Sequence, residues 1–314
     1  MSWPPSDHFD GKTFINPGAP PVPGLGAVIK WKLTSHPVKW PPPVAAPTRT
    51  PPPPPQGEGV AVTWVGHSTF LFQAESVSVL TDPVFSDRAG PLSWLGAKRH
   101  VPPGIAFDSL PRINLVLLSH DHYDHCDLPT LRRLAQRDQP TVVAPLGHGP
   151  LLREAGFKTV VELDWWEDHA LPGQAAVTLV PARHWCRRSP FRTNSRLWGG
   201  FMVSLGGRRL YFAGDSGYTP GFFPEIGRRC GAPDLAMIPI GAYEPRWFMA
   251  SAHMNPAEAV QVHREVGARR SIGMHWGTFQ LTDEGWDQPV RDLETARGAE
   301  AFEVLPFGGS TSVS

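Results

Sequence analysis

Cysteine is scarce in this chain of 314 residues: Cys126, Cys186 and Cys230 are odd in number, widely spaced and without a Cys-x-x-Cys pair. That excludes a disulfide framework and points to a reducing compartment, so a cytoplasmic location is expected. Net charge is lacking too, since 29 basic and 29 acidic side chains cancel. No nucleic-acid partner is therefore expected to be held by bulk electrostatics. No apolar run approaches the ~20 residues that span a bilayer. The opening MSWPPSDHFD lacks the basic stretch and apolar run of a secretory signal. The expectation is a soluble protein, at most peripheral to a membrane. Internal repeats are also missing, and a chain of this length buries enough surface for a stable core without covalent staples.

What is abundant is proline, and it is unevenly placed: 16 of the 36 prolines fall in residues 1–59, ending in Pro51–Pro55. Such density favours extended polyproline II and blocks helices and central strands. The same segment carries Trp3, Phe9, Phe14, Ile15, Trp31, Leu33 and Trp40, more large apolar groups than a free tail retains. Residues 1–59 are therefore expected to form an extended Pro-rich arm that wraps the body, at least over residues 8–40. Residues 60–314 read as one catalytic domain of α/β class. Val60–Val65, Thr69–Gln73 and Val77–Thr81 read as strands split by Gly66-His67-Ser68 and Ala74-Glu75-Ser76. Asn114–Ser119 is a continuous apolar run, as in a strand buried on both faces. A helix over Asp127–Arg137 with Asp127 at its N-cap follows, then a strand over Thr141–Ala144, a helix over His148–Ala155 and a strand over Val160–Leu163. Ala176–Pro181, Phe201–Leu205 and Arg209–Ala213 read as strands, the last two joined by a Gly206-Gly207 turn. Leu235–Pro239 and Ser271–Met274 are expected as buried strands around a helix over Pro256–Val266.

The strand at Asn114–Ser119 delivers the chain into His-Asp-His-Tyr-Asp-His, residues 120–125. Imidazole nitrogen and carboxylate oxygen are the ligands of zinc sites that keep a position open for water, and this density suits two metals rather than one. His184, Asp215 and His275 each follow an expected strand, in PARHW, YFAGDSGY and SIGMHWG. Ligands at strand ends converge in α/β folds. Arg183, Arg187, Arg188, Arg192 and Arg196 fall within fourteen residues with no acid among them, either a solvated face or a patch that attracts an anionic substrate.

The set His120, His122, Asp124, His125, His184, Asp215 and His275 resembles the metal-binding set of the metallo-β-lactamase fold. Further strings, among them VTWVGHSTF, SHDHYDHCDLPTL, HWCRR, IPIGAYEPRWFM and MHWGTFQLTDE, run in order through residues 60–285. They are similar to the N-acylphosphatidylethanolamine-hydrolysing phospholipase D branch and its bacterial members. The resemblance implies a four-layer αββα sandwich with a dinuclear site at one edge. It implies one metal on His120, His122 and His184, a second on Asp124, His125 and His275, and Asp215 bridging them. Two Zn²⁺ are expected, although the same donors accept iron or manganese. Two such ions about 3.5–4 Å apart activate a water and stabilise a phosphoryl or acyl transition state. The implied reaction is phosphodiester hydrolysis of an N-acylated phospholipid or another anionic ester, with peripheral membrane contact. A lactonase or a soluble-substrate phosphodiesterase is the alternative within the fold, and a non-catalytic metal-binding protein is the alternative outside it.

By the same resemblance Asp124 also orients the nucleophile, while His253, in SAHMNP, contacts the phosphate or protonates the leaving group. Tyr123 is expected to touch substrate, with simple packing as the alternative, and Asp82 to accept a hydrogen bond from a ligand imidazole or else simply to turn the chain before Pro83. His67 reads as structural, with a place behind the metal ligands as the alternative, and Trp165, Trp166, Trp185, Trp198, Trp247 and Trp276 mostly as core, with one or two lining an acyl groove. Asp121 stands where the resemblance has Asn, Cys126 where it has Leu and Ser216 where it has Thr. Asp121 is expected to add a negative charge beside the metals. Oligomeric state is left open.

Overall fold

A computed structural model describes residues 3–19, 23–45, 48–75, 77–171, 175–189 and 192–314. Ser76, the last residue of one expected turn, lies outside them, as do short pieces of the arm. Two seven-stranded sheets form the body. The first runs, in spatial order, Ser310–Val313, Val60–Gly66, Thr69–Ala74, Val77–Thr81, Leu115–Leu117, Thr141–Pro145 and Val160–Leu163. Its first four strands pair antiparallel and the remainder join in parallel. The second runs Phe302–Glu303, Ser271–Met274, Leu235–Pro239, Arg208–Phe212, Gly200–Leu205, Ala176–Val180 and Asp168–Ala170, parallel as far as Arg208–Phe212 and antiparallel beyond it.

Alternation along each strand decides the layering. Phe70 and Phe72 point into the core shared by the sheets, with Phe201, Phe212 and Met237. Leu71 points the other way, into a second core with Val116, Leu131 and Leu134, where the helix Leu128–Arg137 packs. Each such fully buried side chain contributes roughly 1.5–3 kcal/mol. Helices Phe223–Cys230, Pro256–Glu265 and Gln288–Arg297 pack on the second sheet through Phe223, Ile226, Val260 and Leu293. The result is the four-layer αββα sandwich. The Gly206-Gly207 turn has φ of +55° and +73°, the left-handed pair that a two-residue hairpin of this hand needs.

The arm departs from the expectation of a wholly extended segment, because Leu25–Thr34 is an α-helix. Its sequence, LGAVIKWKLT, contains no proline, so this window between Pro23 and Pro37 is free to close i to i−4 bonds. The arm is clasped to the body at several points. The Phe14 amide donates to the Asn194 carbonyl (2.8 Å), Val38 to Asp283 (2.9 Å) and Arg49 to Gly104 (2.7 Å). Phe9, Phe14 and Trp31 are buried, whereas Leu33 is 80% exposed. Asp127 precedes its helix as expected, but its carboxylate accepts from the amides of Phe85 (3.1 Å) and Ser86 (3.0 Å) and from the Thr130 hydroxyl (2.6 Å) instead of capping.

Candidate metal centre

Backbone turns at the strand ends bring the histidines and aspartates together. Residues 120–125 leave the first sheet after Leu115–Leu117, whereas His184, Asp215 and His275 leave the second after Ala176–Val180, Arg208–Phe212 and Ser271–Met274. All are buried, apart from half-buried His122 and Asp124. His122 Nδ1 lies 3.1 Å from both His120 Nε2 and His184 Nε2. Three imidazoles around one tetrahedral Zn²⁺ place their nitrogens about 3.3 Å apart, given Zn–N of about 2.0–2.1 Å. A second group joins Asp124, His125 and His275 with His67, their ligand atoms all within 4.8 Å of one another. Asp215 Oδ2 stands between the groups, 3.1 Å from His125 Nε2, 3.2 Å from His275 Nε2, 3.7 Å from His184 Nε2 and 3.8 Å from His120 Nε2.

The rings are oriented from behind. Asp82, fully buried, accepts from His125 Nδ1 (2.7 Å) and from the Ser119 hydroxyl (2.5 Å), whose oxygen in turn faces His120 Nδ1 (2.8 Å). The Ala252 carbonyl holds His184 Nδ1 at 3.0 Å. Each of these contacts presents Nε2 to the centre, as metal-bound imidazoles require. His67, read as structural, is here a direct neighbour of the centre: its Nε2 is 3.0 Å from Asp124 Oδ2. Its signal in the sequence was its place in a turn at a strand end, the same placement as the other histidines.

The charge balance calls for a cation. Burial lowers the pKa of His120, His122 and His184, so their lone pairs stay free at neutral pH. At Asp124 and Asp215 burial opposes ionisation, yet the imidazoles, His125 foremost, hold both carboxyls well below the usual range. Burial also depresses His125 and His275, but the carboxylates, Asp215 first, outweigh it and lift His275 to about 9. His125 Nε2, His275 Nε2 and Asp215 Oδ1 are buried without a hydrogen-bond partner. Orphaned acceptors around paired carboxylates are what a divalent ion satisfies, displacing protons as it binds. The residues present fit a metal centre.

A cavity of about 540 Å³ opens onto His122, Asp124, Asp215 and His253. Its apolar lining comes from Val28 and Trp31 of the arm helix and from Phe248, Met249 and Leu281 of the body. Trp31 stacks on Phe248 at 5.0 Å. Trp185 also lines the cavity, while Trp165 and Trp198 are buried core and Trp247 is half exposed. Nothing in the residue pattern of the arm marks it as part of this lining. His253 sits with Nδ1 4.0 Å from Asp215 Oδ2, and burial pushes its imidazole down to about 4. Tyr123 stands outside the cavity lining: its hydroxyl donates to the Arg188 carbonyl (3.0 Å), and the Arg188 guanidinium lies 4.3 Å above its ring.

The arginine run divides. Arg188 donates to the carbonyls of Asp121 (2.9 Å) and Cys126 (2.8 Å), Arg183 donates to Pro17 (2.5 Å), and Arg196 pairs with Asp121 (2.7 Å). Among the described residues Arg187 is the one Lys or Arg lining the cavity. Asp121 carries a negative charge that acts on His122, but its carboxylate is paired with Arg196 and stays out of the cavity wall.

Three comparisons bear on this arrangement. The profile of the β-lactamase superfamily domain matches residues 78–276. An N-acyl-phosphatidylethanolamine-hydrolysing phospholipase D of Caenorhabditis elegans is 42% identical over 76% of this chain and 71% of its own length. This chain belongs to the metallo-β-lactamase fold, metal-dependent hydrolases. A metallo hydrolase of Ignicoccus hospitalis superposes with a TM-score of 0.61 at 21% identity, covering 82% of this chain and 99% of that one. A diiron β-hydroxylase of Streptomyces venezuelae gives 0.61 at 23% identity, covering 83% of this chain and 55% of that one. The hydrolase fold is thus shared by proteins of different chemistry, so activity has to be argued from the site.

Proposed function

We propose that the protein is a phosphodiesterase of phospholipase D type, acting on N-acylphosphatidylethanolamine-like lipids at a centre of two metal ions. The observation that carries this reading is one cavity lined both by residues of the His/Asp centre with Arg187 and by the apolar side chains Val28, Trp31, Phe248, Met249 and Leu281. A headgroup phosphodiester and an acyl chain make the same polar-to-apolar division. The 42% identity to the nematode phospholipase D supports it. His120, His122 and His184 would hold one ion, Asp124, His125 and His275 the other, and Asp215 both. Zn²⁺ suits these donors, as iron and manganese do. When bound, the ions supply Lewis acidity and a water of lowered pKa.

The chain's own groups do the rest. Asp124, with one oxygen shared among His67, His125 and His275, orients the attacking water. His253, neutral at pH 7 because of its burial, donates a hydrogen bond to a phosphoryl oxygen. Arg187 meets the phosphate charge, and Tyr123 backs the hairpin that carries Arg187. Approach to a bilayer is supported by the arm helix, which has no acid and exposes Ile29 and Leu33 beside Lys30, whose ammonium lies 4.8 Å over Trp247. Among the described residues no helix is long and apolar enough to cross a membrane, so contact would be peripheral, from the cytoplasmic side.

The test is a panel of lipid phosphodiesters, soluble phosphodiesters and lactones with and without chelator. Chelator-sensitive turnover of the lipid phosphodiester is expected, and Arg187→Ala should raise its KM roughly tenfold while sparing neutral lactones. Activity confined to lactones would sink the phospholipase reading and keep the hydrolase.

A further inference from the structure

We infer that the Asp121–Arg196 ion pair is a positioning device for His122. The inference rests on the reading of His120, His122 and His184 as the ligands of one ion. Two of those imidazoles are fixed through the ring nitrogen that faces away from the centre, His120 by the Ser119 hydroxyl (2.8 Å) and His184 by the Ala252 carbonyl (3.0 Å). His122 differs: its Nδ1 faces the centre, and its Nε2 is buried with no hydrogen-bond partner. Among the described residues its close aromatic neighbour outside the centre is Trp185, edge-on at 4.5 Å. Its Nδ1 contacts lie within the centre, so among the described residues no partner behind the ring sets its angle, and the backbone on either side has to.

That backbone is tied down at Asp121. The Arg196 guanidinium donates to Asp121 Oδ2 (2.7 Å) and, through Nε, to the Gly147 carbonyl (3.2 Å). The segment that carries Arg196 is itself anchored, with the Leu197 amide donating to the Leu146 carbonyl (2.9 Å) and the Gly199 amide to the Ser119 carbonyl (3.1 Å). On the main chain, Arg188 holds the Asp121 carbonyl (2.9 Å) and the Cys126 carbonyl (2.8 Å), the two ends of the turn that carries His122. The pair thus ties the ligand turn of the first sheet to the segment that enters the second. The side chain of Asp121 is only 2% exposed and does not line the cavity, so its charge serves Arg196 and not the substrate. This accounts for the place where the chain departs from the Asn of the resemblance: an amide cannot make the charge-assisted bond to Arg196 that the buried Asp121 carboxylate makes.

The experiment measures metal content and metal release to a chelator for the wild-type chain, Arg196→Met, Arg196→Lys, Asp121→Asn and the double variant Asp121→Asn/Arg196→Met. Folding is followed by circular dichroism, and Co²⁺-substituted protein gives a visible spectrum of the site. The wild type is expected to hold two ions. Arg196→Met should release one of them at least about tenfold faster, the cost typical of losing an outer-shell partner, with an altered Co²⁺ spectrum. Arg196→Lys should rescue partly. The double variant should regain thermal stability, having no unpaired charge, yet still release its ion fast. If metal release and spectrum match the wild type in every folded variant, or simply track stability across the series, the pair is structural and the inference is overturned. A wild-type chain that holds a single ion would overturn the dinuclear reading itself, a failure visible before any substitution is made.

Discussion

His148 shows how a buried histidine away from the centre contributes to the response to acid. It is fully buried, its Nδ1 donates to the Pro145 carbonyl at 2.9 Å, and its Nε2 has no partner. Burial pushes its pKa down to about 4, against about 6.5 in an unfolded chain. Between those values the unfolded state binds the extra proton, so the contribution is fully present above about pH 6.5 and is lost as pH falls toward 4. The loss is on the order of 3 kcal/mol. Urea midpoints measured from pH 7 to pH 4.5 should fall, and His148→Gln should flatten that slope; an unchanged slope would assign it to another group. Asp124 and Asp215 act only lower down, since their depressed pKa values place their loss below the ordinary carboxylate range. At this scale the sequence was highly legible, because ligand residues cluster at strand ends whatever the surrounding packing. What it could not show was direction. Nothing in HDHYDH says that Asp121 turns back to Arg196, or that His67, far upstream, turns in to Asp124.

Among elements, the strands were easiest to read. Both Thr69–Ala74 and Leu115–Leu117 are buried on both faces; the second is apolar throughout, and the first is broken only by Thr69 and Gln73. The hairpin Arg88–Leu92 with Leu95–Lys98 is mostly solvated and carries no such pattern. Helices Phe223–Cys230 and Gln288–Arg297 are short, and their polar faces dilute the period. The helix Leu25–Thr34 was hidden by the proline around it. Its Trp31 is 9% exposed and its Nε1 donates to Asp283 Oδ1 at 3.3 Å. Trp31→Ala should destabilise the fold by roughly 3 kcal/mol and raise KM for long acyl chains while leaving kcat nearly unchanged. Equal KM values for short and long chains in both proteins would remove Trp31 from the acyl wall.

The whole molecule is two sheets whose strand ends share one polar centre. Residues 120–125 come from the first sheet and His184, Asp215 and His275 from the second. Ions bound there would join the layers, and a ligand held by the native state alone stabilises it by mass action, about 4 kcal/mol at a thousandfold excess over Kd. Exhaustive chelation should therefore lower Tm by several degrees, restored by Zn²⁺. An unchanged Tm would mean that the centre binds no ion tightly.

The arm has a consequence for how the chain reaches this state. Asn16 donates its side-chain amide to the His184 carbonyl, a partner 168 residues downstream, and Trp31 reaches Asp283 across 252. Contacts so distant in sequence are slow to form, because loop closure has to precede them. The wall that Val28 and Trp31 complete therefore depends on contacts that need the body around His184 and Asp283 to be in place.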